Sequence, residues 1–113
     1  MKLYFYILNE KRIKDEEYNI FLRIEEAEAV KKNGMWFPAE GRFPSGVGFF
    51  IMPFDVGKLS GFNKNLVVLA EPDLDLAKQL FAEAFNKEIR RHQRTIDMWQ
   101  SRLKAVEQTE VKE

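Results

Sequence analysis

Few side chains in this sequence combine into a pattern that could perform chemistry. There is one histidine, His92, and there is no cysteine, so thiol chemistry and cysteine-ligated metal sites are excluded. Carboxylates are numerous, but none is placed with His92, Ser45 or Ser60 in a recognisable acid–base or nucleophilic motif. The glycine-rich phosphate-binding patterns are absent as well. We therefore predict that the protein is not an enzyme and has no catalytic residue, cofactor or metal.

The clearest pattern lies near the end of the chain, where neither glycine nor proline occurs after Pro72. Here apolar residues recur at alternating steps of four and three, the a/d spacing of a helix that packs on another helix. We call these positions the seam: Phe85, Ile89, His92, Ile96, Trp99, Leu103 and Val106. The seam predicts an oligomer interface, and a second copy of the chain, giving a homodimer, is the expected partner.

A comparison of lengths supports an intermolecular seam. A helix over residues 73–107 would span roughly 52 Å, whereas a globular body built from residues 1–72 would measure roughly 30 Å across. The distal part of the helix should extend beyond the body, and each large apolar side chain left in water forgoes about 1.5–3 kcal/mol. The spacing allows parallel or antiparallel pairing. His92 is either a tolerated polar residue in this interface or a pH-sensitive contact.

A basic cluster lies on the same helix and consists of Lys87, Arg90, Arg91 and Arg94. Positions that face away from such a seam are normally charged, so the cluster is either solvated surface or a nucleic-acid-binding face. The whole chain carries 18 basic and 18 acidic side chains, so no net excess favours nucleic acid. A nucleic-acid-binding dimer is accordingly our alternative hypothesis.

Residues 36–46, the aromatic loop, concentrate aromatic rings, two Phe-Pro pairs and one arginine. Such side chains are over-represented at protein-binding hot spots. The candidate partner-binding residues are Trp36, Phe37, Arg42 and Phe43. The same rings could instead fill the core beneath the loop. We predict a non-enzymatic oligomeric protein-interaction module that contacts another protein here, and a small-ligand sequestering protein is a further alternative.

The elements that must position these residues indicate an α+β fold in a single domain. Residues 3–8 predict a doubly buried strand, and 18–24 alternate as a strand with one apolar face, while 25–32 fit either strand or helix. Asn33-Gly34 predicts a tight hairpin turn. The segment 9–17 is interpreted as a charged connection, 38–46 as a loop, and 47–52 as a strand. Residues 53–65 are expected to be turns and loop, with one helical turn near 55–58.

A last short strand is predicted at 66–70, and Asp73 is expected to cap the N-terminus of the long helix. The first half of that helix, 74–85, has a wide apolar stripe suited to packing on a sheet. We therefore expect four or five mostly antiparallel strands within residues 2–70 to pack on this half. The distal half should self-associate, and 108–113 should fray.

The chain as a whole resembles a loose group of small, mostly uncharacterised accessory proteins of phages and mobile elements of Gram-positive bacteria. The residues that carry this resemblance are the 3–8 strand, Phe43-Pro44-Ser45-Gly46, the segment 51–59, the 66–69 strand, and Pro72-Asp73 opening a long charged helix. It implies an accessory role and supplies no catalytic residues. The apolar run at the N-terminus is too short for a secretory signal, and no stretch is long enough to span a membrane. We expect a cytoplasmic protein.

Overall fold

A computed structural model describes residues 1–15, 17–61 and 64–110, and it has the predicted α+β architecture. Five strands form one antiparallel sheet in the order β3-β2-β1-β5-β4. One long helix, α1, follows the last strand. The strands are β1 (Lys2–Lys14), β2 (Glu17–Lys32), β3 (Met35–Pro38), β4 (Leu59–Ser60) and β5 (Leu66–Leu69); α1 comprises Leu74–Glu107, and a single 3-10 turn covers Pro53–Asp55.

The long β1–β2 hairpin corrects two sequence expectations. The predicted charged connection at 9–17 is wrong, because β1 continues to Lys14 and β2 begins at Glu17; Glu16 lies outside the described residues. Residues 25–32, which fit strand or helix, are strand. Both stretches are charged, and their conformation is set by cross-strand pairing, from Lys2 opposite Glu28 to Lys14 opposite Glu17. Pairing of this kind outweighs local propensity.

The turn predicted at Asn33-Gly34 is confirmed. Both residues have positive φ, 52° and 78°, as a two-residue hairpin turn with right-handed strand twist requires. The turn joins β2 to β3 and brings Lys32 opposite Met35.

One face of the sheet carries the main core. Leu3, Phe5 and Ile7 alternate on β1 and are at most 1% exposed, and the register places Leu66 and Val68 of β5 beside them. Side chains from the segment between β3 and β4 cover this face, chiefly Phe43 and Ile51. Residues 3–8 are predicted to form a strand that is buried on both faces. In the structure this cluster covers one face of the strand, and Tyr6 is buried on the other face.

The first turns of α1 belong to the opposite face. Tyr6 is buried there, and its hydroxyl accepts a hydrogen bond from the Asp73 N–H at 2.9 Å. Asp73 caps the helix as predicted, because its Oδ1 accepts the Leu76 N–H at 3.0 Å. Ala77 and Phe81 are the buried residues of the helix. We infer that these two side chains and Tyr6 form a second, smaller apolar layer.

The segment between β3 and β5 contains the remaining corrections. The strand predicted at 47–52 is wrong, since only Ile51 forms an isolated bridge, with Trp36. Gly46 and Gly48 have φ of 92° and 104°, values that no regular strand contains. The helical turn expected near 55–58 lies earlier, at Pro53–Asp55, and β4 was not predicted.

The chain divides into two compact units, Met1–Phe81, which we call the body, and Ala82–Glu113. In the second unit the helix continues to Glu107, and we call Ala82–Glu107 the distal helix. Part of the predicted frayed tail, 111–113, lies outside the described residues. Within the described part of the chain, no helix has the length and apolar content needed to cross a membrane.

Candidate functional site

The seam lies on the surface of the distal helix. Ile89, Ile96, Trp99, Leu103 and Val106 are 47–72% exposed, and His92 is exposed as well. Phe85, at the start of the seam, is half-buried. In a single chain these side chains therefore form a continuous apolar stripe open to solvent. Such a stripe on one helix is the usual mark of a helix–helix interface.

Polar and charged contacts flank the seam on its own helix. Glu88 forms an ion pair with Arg91 at 2.8 Å and lies 3.7 Å from His92 Nε2. The Arg102 guanidinium stacks over the Trp99 ring, 5.0 Å from its centroid. Gln93 donates a hydrogen bond to Asp97 Oδ1 at 3.0 Å. Of the seam side chains, these contacts touch His92 and Trp99 and leave both exposed.

The aromatic loop leaves the sheet at β3, and the chain returns to that strand at Ile51. The Trp36 N–H donates to the Ile51 carbonyl at 2.8 Å, and the Ile51 N–H donates back to Trp36 at 2.9 Å. Between these anchors, Arg23 of β2 donates to the Ser45 carbonyl, and its Nε lies 3.2 Å from Glu25 Oε2. The loop is thus held to the sheet by backbone bonds and by one arginine.

An apolar cleft of about 360 Å³ opens in this loop. Its volume falls within the range of small-molecule and peptide side-chain pockets. We call it the aromatic cleft, and it is lined by Phe37, Pro38, Gly41, Arg42, Phe43, Pro44, Ser45, Gly46, Gly48 and Phe49. Arg42 is exposed, and the described residues place no carboxylate within ion-pair distance of it. The cleft therefore combines ring surfaces with one exposed cation.

The four aromatic-loop candidates occupy different environments. Phe37 and Arg42 line the cleft, and the Phe37 ring lies 6.2 Å from that of Phe50. Phe43 contributes one wall, but it is only 6% exposed and its ring packs 5.3 Å from Phe5. Trp36 does not line the cleft; it packs against the core and lies under the Lys31 ammonium.

Sequence reasoning missed the most exposed ring of this region, Phe49, which is 87% exposed. The sequence contains no local signal for this exposure, because Phe43, a few residues earlier in the same glycine- and proline-rich region, is buried. Sequence reasoning also assigned one apolar face to residues 18–24 without expecting it to be open. Tyr18, Ile20 and Ile24 are each more than half exposed on β2.

The basic cluster lies on exposed positions of the distal helix. Arg91 is paired with Glu88. Lys87, Arg90 and Arg94 have no ion-pair partner among the residues that the structure describes. The three side chains occupy heptad positions f, b and f, which turn away from the seam. A cationic stripe and an apolar stripe therefore run along different sides of the same helix.

Across residues 1–15, 17–61 and 64–110, no three His, Asp or Glu side chains come close enough together to hold a metal ion. Comparison with protein-family models, with curated proteins and with solved structures gives no match.

Proposed function

We propose that the protein is a non-enzymatic, self-associating protein-interaction module, with the accessory role that its resemblance to phage and mobile-element proteins implies. The observation that carries this proposal is the exposed seam. Five large apolar side chains at 47–72% exposure on one helix stripe are what a dimer interface would cover. A second copy is the occupant we propose, because the stripe has a/d spacing and therefore complements itself.

Solution mass tests the self-association. Multi-angle light scattering over a concentration series should give twice the chain mass for the wild type. Ile96→Asp combined with Leu103→Asp should weaken association by at least about 100-fold, because two carboxylates would enter an apolar interface. The matched control, Met98→Asp with Ala105→Asp, adds the same charge at c positions of the same helix and should leave the dimer intact.

Circular dichroism and a urea titration show whether each variant keeps its folded body. A wild-type monomer at millimolar concentration would contradict the proposal. So would equal loss of association in the control pair, since that result would attribute the effect to charge on the helix rather than to the seam.

We further propose that the aromatic cleft binds a peptide segment of a partner in which an apolar side chain stands beside a carboxylate. The ring-lined walls suit the apolar side chain. The exposed Arg42 guanidinium suits the carboxylate, and a charge-assisted bond of this kind contributes about 1.5–3 kcal/mol. This chemistry, rather than an identified partner, defines what the cleft would recognise.

A peptide series tests the cleft. An acetylated, amidated Phe-Asp peptide should bind more tightly than its Phe-Asn counterpart in a calorimetric or NMR titration. Arg42→Ala should abolish that difference, and Phe49→Ala should weaken both peptides. Phe54→Ala removes an exposed ring that does not line the cleft and serves as the control. Equal affinity for the two peptides would show that Arg42 does not select the ligand.

One observation favours nucleic-acid binding as a second candidate function. Lys87, Arg90 and Arg94 lie close together on the helix surface without carboxylate partners in the described part of the chain. A gel shift with duplex DNA and RNA across a salt series tests it, because phosphate contacts make affinity fall steeply with salt. Absence of binding at low salt would dismiss this candidate.

A further inference from the structure

In the seam, the type of side chain differs between the a positions and the d positions. Its d positions carry rings as far as Trp99, and its a positions carry branched aliphatic side chains. The rings are Phe85, His92 and Trp99, and the aliphatic residues are Ile89, Ile96 and Leu103. This separation by position bears directly on how two such helices can pair.

A parallel, in-register pair would place each position opposite itself. Ring–ring layers would then alternate with aliphatic–aliphatic layers, and His92 would face a second His92. Layers of unequal thickness leave gaps between helices that stay at one distance. An antiparallel pair instead places a positions opposite d positions, so that each layer contains one ring and one aliphatic side chain. Facing large against small side chains is the arrangement that fills an interface evenly.

We propose that two copies pair their distal helices antiparallel, with the two-fold axis level with Arg94. The proposal rests on the self-association proposed above and adds its geometry. In this register Phe85 packs on Leu103 of the other copy, Ile89 on Trp99, and His92 on Ile96. Each contact occurs twice, so six layers use the seam from 85 to 103.

The charges beside the seam fit the same register. Glu88 and Arg102 both occupy g positions, and in this register each Glu88 approaches Arg102 of the other copy. The other flanking positions that meet are uncharged: Asn86, Gln93, Thr95 and Gln100. No like charges face each other. A parallel pair also has one attractive contact, Arg102 with Glu107, so it is the ring distribution that decides between the two.

Distances between spin labels test the polarity in the full-length protein. The chain has no cysteine, so a single introduced cysteine is a unique attachment point. Ala105 lies on the c face, outside the seam, and 11 residues beyond the proposed axis. Labels on Ala105→Cys should therefore be about 33 Å apart along the helix axis in the antiparallel pair. In a parallel pair their Cα atoms would lie within about 15 Å.

Gln93→Cys supplies the matched control, since residue 93 lies next to the proposed axis and should give a short distance in either polarity. A dimer with a long distance at 105 and a short one at 93 supports the proposal. A dimer with short distances at both positions overturns the antiparallel register while leaving self-association intact. A monomer removes self-association itself and this geometry with it.

A charge exchange provides an independent readout. Glu88→Arg or Arg102→Glu alone should weaken association several-fold, and the double exchange should restore it to within about threefold of wild type. In a parallel dimer the double exchange would not restore association, because the carboxylate introduced by Arg102→Glu would face Glu107 whatever residue occupies position 88.

Discussion

The body buries apolar side chains of the same kinds that the distal helix exposes. In the body, Leu3, Phe5 and Val68 are fully buried between a sheet and its covering loop. In the distal helix, Ile96 and Leu103 are about half exposed, and the structure describes no buried residue beyond Phe81. Apolar content alone therefore does not locate the core of this chain. What separates the two regions is whether the chain itself supplies a covering element.

The difference assigns separate roles to the two regions. Side chains that the body buries stabilise the folded monomer, so their loss should appear as a lower free energy of unfolding. Side chains that the distal helix exposes contribute little until another molecule covers them. Substitutions in the body should consequently change the free energy of unfolding, and substitutions on the distal helix should change association.

The largest effect is expected in the centre of the sheet. Phe5→Ala should lower the free energy of unfolding by about 3–5 kcal/mol, because it removes a fully buried ring and leaves a cavity. Urea denaturation at fixed protein concentration measures this change. Met98→Ala removes an apolar side chain of the distal helix that is 43% exposed and lies outside the seam, and it should change the same quantity by less than about 0.5 kcal/mol. Comparable losses at the two positions would contradict the division of roles.

A second pair of substitutions makes the same comparison within one loop. Phe43 is 6% exposed and Phe49 is 87% exposed, although only five residues separate them. Phe43→Ala should cost about 3 kcal/mol of unfolding free energy, because its ring packs on Phe5. Phe49→Ala should leave stability within about 0.5 kcal/mol. Thermal and urea unfolding of both variants would show whether the loop is a lid on the core.

A smaller effect is expected where the helix begins. Asp73→Ala should cost about 1 kcal/mol, because the Leu76 N–H loses its acceptor at the first turn. Asp73→Ser keeps a capping oxygen and should recover most of that loss, as measured by urea unfolding. If Asp73→Ser were as unstable as Asp73→Ala, the loss would come from the acidic charge and not from the cap.

Sequence patterns correctly predicted those elements whose conformation is set by residues close to them in the chain. The hairpin turn follows from Asn33-Gly34, and the helix start follows from Asp73 at its N-cap position. The wide apolar stripe likewise marked the first half of α1, which contains the buried residues Ala77 and Phe81. Each of these signals acts over a few residues, so a single sequence contains the information.

The errors occurred where distant residues decide the conformation. Residues 9–14 are polar apart from Ile13, and they are strand because residues 17–21 pair with them. The segment 47–52 is apolar, yet the left-handed conformations of Gly46 and Gly48 keep it out of the sheet. Composition could not distinguish Phe43, in the aromatic loop, from Phe49, just after it. Only the position of each ring relative to Phe5 does so, and that position is tertiary.

The smallest effect is expected from an exposed ion pair on the sheet. Lys2 donates to Glu26 Oε1 at 3.3 Å across β1 and β2, and this hydrogen bond and charge raise the pKa of Lys2 above its usual value of 10.5. A raised pKa means that folding favours the protonated amine. The stabilisation is therefore fully present at pH 7 and is lost only as the pH rises through the pKa of the folded state, above 10.5.

Lys2→Met should accordingly lower the free energy of unfolding slightly and by the same amount from pH 6 to pH 9, and this effect should shrink as the pH rises above 10.5. Urea unfolding of the wild type and the variant at these pH values measures the difference. Glu26→Gln should reproduce it, and the double variant should lose no more than either single one. Both side chains remain about half exposed, so solvent screens the pair. A loss as large as that of Asp73→Ala would mean that this exposed pair between β1 and β2 stabilises the sheet strongly. The contrast between buried and exposed contacts would then fail within the body itself.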